Sequence, residues 1–134
     1  MDFLKPSLEN NKINAISMLG LAHIGDAVYE LMTRTLLCGE GHAQANDLHH
    51  RTVEMVKAPA QAKAAEKIKG MLDEEETSVY KRGRNAHVHS VPQHAQVSEY
   101  HAATGLEALF GYLYLQGKQD RLNELFAMIH QEDV

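Results

Sequence analysis

Apolar residues between Asn14 and Leu37 recur at Leu21, Ile24, Val28 and Leu31, with Thr35 continuing the line, and that spacing predicts one long helix. The same helix sets His23, Asp26 and Glu30 together on an adjoining polar face. Cys38-Gly39-Glu40-Gly41 ends it with two glycines, and Asn46 or Asp47 is placed to cap a second helix through Leu48, Val53 and Val56. Pro59 marks the next junction. The alanine-rich piece from Ala60 to Ile68, built of strong helix formers, follows as a third helix closed by Gly70. Glu74 to Lys81 reads as a short fourth. No apolar period survives from Gly83 to Gln96, where Gly, Asn, Ser and Pro92 mark a loop. Helical spacing returns from Val97 to Leu115 through Ala103, Leu106, Leu109, Phe110 and Leu113, and a last helix covers Asp120 to His130. No segment alternates as a strand does and no repeat is visible, so the expected fold class is all-α.

With 134 residues, 44% of them hydrophobic, the chain suffices for one domain with a core that needs no staples. A lone cysteine, Cys38, rules out an internal disulfide framework, and no basic segment followed by an apolar one suggests secretion, so a cytoplasmic location is expected. The longest apolar-rich stretch, Ile13 to Cys38, is broken by His23, Asp26, Glu30 and Arg34 and is no membrane span. The net charge of −5 argues at first against a nucleic-acid partner. Its distribution weakens that argument. The acids gather in Asp73-Glu74-Glu75-Glu76 and Glu132-Asp133, whereas Lys81-Arg82-Gly83-Arg84-Asn85-Ala86-His87 carries three fixed positive charges and no acid.

Two helical segments, Gly25-Asp26-Ala27-Val28 and Leu106-Glu107-Ala108-Leu109-Phe110-Gly111, each set one carboxylate and one glycine among apolar residues. An acid so placed risks desolvation, which disfavours its charged form unless a cation or donor compensates. Asp26 has a bland reading as an acid near a helix N-terminus, but Leu19 and Leu21 already belong to the helical pattern and put it inside. Glu107 sits mid-helix with no capping role. A glycine one turn on costs about 1 kcal/mol relative to alanine unless something must approach closely. Two helices crossing at Gly25 and Gly111 would bring both acids to one hard cation; Mg²⁺ typically takes one or two carboxylates plus waters and phosphate oxygens.

The nine histidines suggest zinc weakly: His87-Val88-His89, His94 and His101 form no HExxH, and one cysteine builds no structural zinc site. His49-His50-Arg51 read better as surface groups or phosphate donors. Cys38, at a helix C-terminus near Glu40, is a poor nucleophile because its thiolate is disfavoured there. A charge run at a helix end is often only a solvated face, and that reading serves Lys81 and Arg82. It serves Arg84 and Asn85 less well, since these follow Gly83 into a polar loop able to track a phosphate backbone.

Leu21-Ala22-His23-Ile24-Gly25-Asp26-Ala27 resembles the signature helix of the ribonuclease III family. Lys81-Arg82-Gly83-Arg84-Asn85-Ala86 is similar to that family's Gly-Arg-Gly turn, and Thr104-Gly105-Leu106-Glu107-Ala108-Leu109-Phe110-Gly111-Tyr112-Leu113 to its Glu-Ala-Leu helix. The three stand in the family's order across nearly the whole chain. Their form resembles the bacterial mini-ribonuclease III branch, which implies a single catalytic domain over residues 1–134 without a separate double-stranded-RNA-binding domain. The resemblance further implies an all-helical, homodimeric ribonuclease III-type endonuclease that cleaves double-stranded RNA with Mg²⁺ and matures the ends of precursor 23S ribosomal RNA. Asp26 and Glu107 match the family's essential acids. Larger relatives have glutamate at the place of Ala22 and aspartate at that of Thr104.

The resulting expectation is metal-assisted phosphodiester hydrolysis with Mg²⁺ on Asp26 and Glu107, Glu30 as an outer-shell acid unless Arg34 pairs with it, and Lys81, Arg82, Arg84, Asn85 and His87 on the RNA backbone. Without an appended RNA-binding domain the grip is weak and salt-sensitive, so a structured RNA or ribosomal-protein assistance is expected. The competing reading is a non-catalytic RNA-binding protein on the same fold, which has no use for carboxylates near phosphates.

Overall fold

The computed structural model describes residues 1–86 and 96–131. The described residues form α1 (Asn10–Asn14), α2 (Met18–Gly39), α3 (Ala45–Val56), α4 (Ala58–Ile68), a 3-10 turn (Lys69–Met71), α5 (Glu74–Arg84), α6 (Val97–Leu115) and α7 (Gln119–Ile129). No strand occurs among them, and no helix is long and apolar enough to cross a membrane.

The architecture is a central helix with a jacket. Apart from Glu107, α6 is buried continuously from Ala103 to Leu113, so it is enclosed on all sides rather than amphipathic. Helices α2, α4, α5 and α7 pack around it. One core cluster joins Val28, Tyr29, Ala64, Ile68, Leu106, Leu109, Phe110, Leu113 and the apolar face of α7. A second, on the other side of α6, joins Ile13, Leu21, Ala22, Val79, Ala108 and Tyr112. Tyr29 stands edge-on to both Phe110 and Phe126, with ring centroids 5.1 and 5.6 Å away, and ties α2, α6 and α7 together.

Helices α2 and α6 meet backbone to backbone. A Cβ on Gly25 would lie 1.6 Å from the Glu107 carbonyl oxygen, and one on Gly111 would lie 2.1 Å from that of Leu21. Only glycine at both positions permits this approach.

Several boundaries differ from the sequence pattern. The core stripe of α2 runs through Leu21, Ala22, Gly25, Val28, Tyr29 and Leu37, while Leu31 is 57% exposed and Thr35 lies outside. At Gly25 the buried face takes no side chain, because the α6 backbone comes too close for one. Neither Asn46 nor Asp47 caps α3. Gln44 occupies that position without a side-chain bond, and the Asp47 carboxylate accepts from Arg51 one turn on, at 2.9 and 3.0 Å. Pro59 lies within the first turn of α4, where its missing N–H costs nothing, and Gly70 sits inside the 3-10 turn. Helix α5 extends past Lys81 through Gly83 to Arg84. Its start is an Asp73/Glu76 capping box, in which the Asp73 carboxylate accepts from the Glu76 N–H at 2.8 Å and the Glu76 carboxylate accepts from the Asp73 N–H at 2.9 Å. Glu76 is also held by Arg121 of α7 through two bonds of 2.8 Å, and that guanidinium holds the carboxyl below its ordinary range.

The N-terminal segment straps the end of α6. The Leu8 N–H donates to the Leu115 carbonyl at 2.8 Å, Gln119 donates to that of Leu4 at 3.0 Å, and Tyr114 donates to that of Phe3. Gly117, at φ 77°, makes the α6–α7 turn beneath Pro6.

Gly25→Ala and Gly111→Ala are each expected to cost about 3 kcal/mol, the upper end for overpacking, because a backbone must move. Gly39→Ala, at the end of α2 with nothing within 4 Å of the new methyl, is expected to stabilise by about 0.5–1 kcal/mol. Urea midpoints of the three variants check the ranking.

Candidate active site

Asp26 lies in the third turn of α2 and is solvent-exposed. It caps nothing: Ser17 does that, accepting from the Gly20 N–H at 3.0 Å. Glu107 is the only charged residue on α6 after Glu99, and it is half-buried where the helix is otherwise enclosed. Because the Glu107 backbone is what Gly25 touches, the crossing sets the neighbouring Asp26 carboxylate beside that of Glu107. The two lie close enough for a side-chain hydrogen bond, an interaction that favours the protonated form of Glu107.

Burial first, then that bond and the like charge of Asp26, push the Glu107 carboxyl up to about 8. A hydrogen bond from the Gln61 amide favours its ionised form but does not offset the rest. The pair is therefore electrostatically unfinished, and an oxygen-rich, doubly acidic pair is what a hard divalent cation stabilises. No group of three or more His, Cys, Asp or Glu able to hold a metal occurs among the described residues. Two carboxylates alone leave most of an octahedral ion's positions to water and phosphate.

Glu30, one turn beyond Asp26, gives its carboxylate to Arg34 at 2.8 Å, both side chains being partly exposed. Ala22 is buried in the second core cluster. The Thr104 hydroxyl donates to the Tyr100 carbonyl at 3.1 Å, so it serves the helix that carries Glu107.

Arg84 and Asn85 do not enter a loop after Gly83. Gly83 is a buried helical residue whose added Cβ would be 2.7 Å from that of Ala108, and this close approach keeps α5 helical to Arg84, with Asn85 as its C-cap. The basic turn thereby abuts the turn of α6 that carries Glu107. Lys81, Arg82 and Asn85 are exposed, while Arg84 is partly buried with its guanidinium 5.7 Å over the Tyr80 ring. His87, with His89, His94 and most of the expected polar loop, lies outside the described residues.

Gln61, on α4, is the residue the sequence pattern did not single out. It stands with Ala64, Ala65 and Ile68 on the buried face of that helix. A polar side chain at i, i+3, i+4, i+7 spacing with apolar ones was the available signal.

A family model described as the ribonuclease III domain matches residues 19–118, a span that includes both Asp26 and Glu107. The chain belongs to the ribonuclease III family. It is similar to the Mini-ribonuclease 3 of Thermoanaerobacter sp. (strain X514), 42% identical over 130 residues that cover 96% of this chain and 92% of the relative. The Mini-ribonuclease 3 of Symbiobacterium thermophilum is 46% identical over 107 residues, covering 80% and 82%. A crystal structure of a Fusobacterium nucleatum protein superposes with a TM-score of 0.77 at 33% identity, over 84% of this chain and 90% of that one. Ribonuclease III enzymes are divalent-metal-dependent endoribonucleases acting on double-stranded RNA, and membership makes this chain an endoribonuclease of that kind.

The raised Glu107 carboxyl has a sign that can be measured. The unfolded chain ionises this group near 4.5, the folded chain near 8, so between those values the folded state binds the extra proton. Metal-free protein is expected to lose stability as pH rises across that window, by up to a few kcal/mol. Thermal midpoints in chelator across the window check it: Glu107→Gln flattens the slope, and saturating Mg²⁺ removes it for the native chain.

Proposed function

We propose that Asp26 and Glu107 together hold Mg²⁺ and hydrolyse phosphodiester bonds of double-stranded RNA, maturing the ends of precursor 23S ribosomal RNA in the cytoplasm. The observation that carries this reading is the meeting of the two carboxylates at the Gly25–Gly111 crossing, where burial and the charge of Asp26 raise the Glu107 carboxyl. When bound, Mg²⁺ supplies positive charge to the scissile phosphate and acidifies an attacking water. The residues prepare for it. Glu107 would hold the cation in its ionised form, which the Gln61 amide favours, its proton passing to solvent. Asp26, being exposed, faces the side from which a phosphate approaches. Thr104 and Ala22 add no charge, so the two carboxylates would leave the other ligand positions to water and phosphate. Glu30 stays with Arg34 unless RNA binding frees it for the outer shell.

Lys81, Arg82 and Asn85 contact the RNA backbone from the exposed end of α5, Arg84 does so from its place over Tyr80, and His87 extends the same run. Recognition through phosphates and 2′-hydroxyls is largely independent of sequence. With so few cations the grip is modest, and a structured or protein-bound RNA, ribosomal protein included, compensates. The catalytic unit spans residues 1–134 and works as a homodimer. The dimer reading is supported by an open apolar groove lined by Leu4, Ile24, Leu31, Met32, Tyr114 and Leu122, of which Ile24, Leu31 and Met32 share a helix with Asp26.

Asp26→Asn is expected to abolish Mg²⁺-dependent cleavage of duplex RNA while dimerisation, followed by sedimentation, survives. Unchanged cleavage sinks the assigned site. Lys81→Ala and Arg82→Ala are each expected to weaken binding evenly across duplex sequences. Each also reduces the slope of log affinity against log salt by about 1, as fluorescence anisotropy at several salt concentrations reads directly.

A further inference from the structure

Gln61 is 2% exposed, yet one of its polar atoms has no partner. Its amide nitrogen donates to the Val56 carbonyl, the last residue of α3, at 2.8 Å. That bond fixes the amide's orientation, since turning it over would set two oxygens against each other. The same amide lies close enough to the Glu107 carboxylate to favour its ionised form. What remains is the oxygen Oε1, buried and unpaired. Leaving an amide acceptor unsatisfied in a protein interior costs about 1–3 kcal/mol. A leucine or methionine would fill the space among Ala64, Ala65 and Ile68 without that cost. The two heteroatoms of an amide share one carbon, so the unpaired oxygen is carried by the same group that favours the ionised form of Glu107.

We propose that Gln61 is a positioning residue of the metal site: its amide nitrogen ties Glu107 to the α3–α4 junction, and its amide oxygen accepts a hydrogen bond from a water that enters with the divalent ion. This rests on Asp26 and Glu107 being the ligands. The hydrogen-bonding requirement explains why a polar side chain occupies an apolar face, and it links α4, which otherwise serves the core, to the site.

Mn²⁺ serves as the probe, with free ion counted by electron paramagnetic resonance on intact protein without RNA. Gln61→Met is expected to weaken Mn²⁺ binding about tenfold, the usual loss for an outer-shell partner. Gln61→Asn, polar but one methylene too short to reach both Val56 and Glu107, is expected to do the same. In a Glu107→Gln background Gln61→Met should cause no further loss, whereas a purely structural residue would lower thermal stability equally in both backgrounds without this coupling. Unaltered Mn²⁺ affinity in folded Gln61→Met and Gln61→Asn overturns the proposal, as does loss of cooperative unfolding in both. Asp26→Asn separates the two levels. If it binds Mn²⁺ as the native chain does, the ligand assignment itself falls; if it loses the ion while the Gln61 variants keep it, only the role of Gln61 falls.

Discussion

Helices α2 and α6 cross where neither has a side chain to hold them apart, and most of the molecule is arranged around that contact. Gly25 lies against the Glu107 carbonyl and Gly111 against that of Leu21, so the spacing of the helices is set by backbone atoms. Backbone is stiffer than any side chain, and the geometry it sets is correspondingly exact. The same contact that seals the middle of the core also brings Asp26 beside Glu107. Packing and chemistry are joined at one point, which is why the two acids sit next to the two glycines in the chain.

A second glycine contact repeats this construction. Gly83 of α5 meets Ala108 and Gly105 of α6, and it carries the basic end of α5 to the turn that bears Glu107. α6 is thus approached closely from two sides, by the acid-bearing helix and by the basic one. The remaining jacket is held by other means, including the Glu76–Arg121 pair between α5 and α7 and the bonds from Lys67 to the carbonyls of Ile129 and Gln131 at the end of α7.

Much of this was legible in the chain. The helical period gave Val97–Leu115 without error, and it predicted every longer helix with its ends shifted by a few residues. The glycine-and-acid pairs announced the crossing because a mid-helix glycine needs a reason. What periodicity could not convey was which faces would be covered. Leu31 continues an apolar line yet is exposed, because the crossing at Gly25 decides where α6 fits. Gly83 looked like a helix end, although its missing side chain serves packing and the helix runs on. The five-residue α1 carries too little pattern to be seen. Gln61 was hidden for another reason: its partners, Val56 and Glu107, belong to different helices, and only the folded chain shows that a polar group on an apolar face has something to hold.

The strap made by the first eight residues has a consequence for how the protein is made. Its partners are Leu115, Gly117 and Gln119, near the opposite end of the chain. As the polypeptide leaves the ribosome, its start has nothing to bind until α6 and the turn after it have emerged. Early helices can form and touch meanwhile, but α6, the element they all need, arrives late. Final closure therefore waits for α6 and is an event of high contact order, and until then the faces of α2 and α4 that α6 covers stay open.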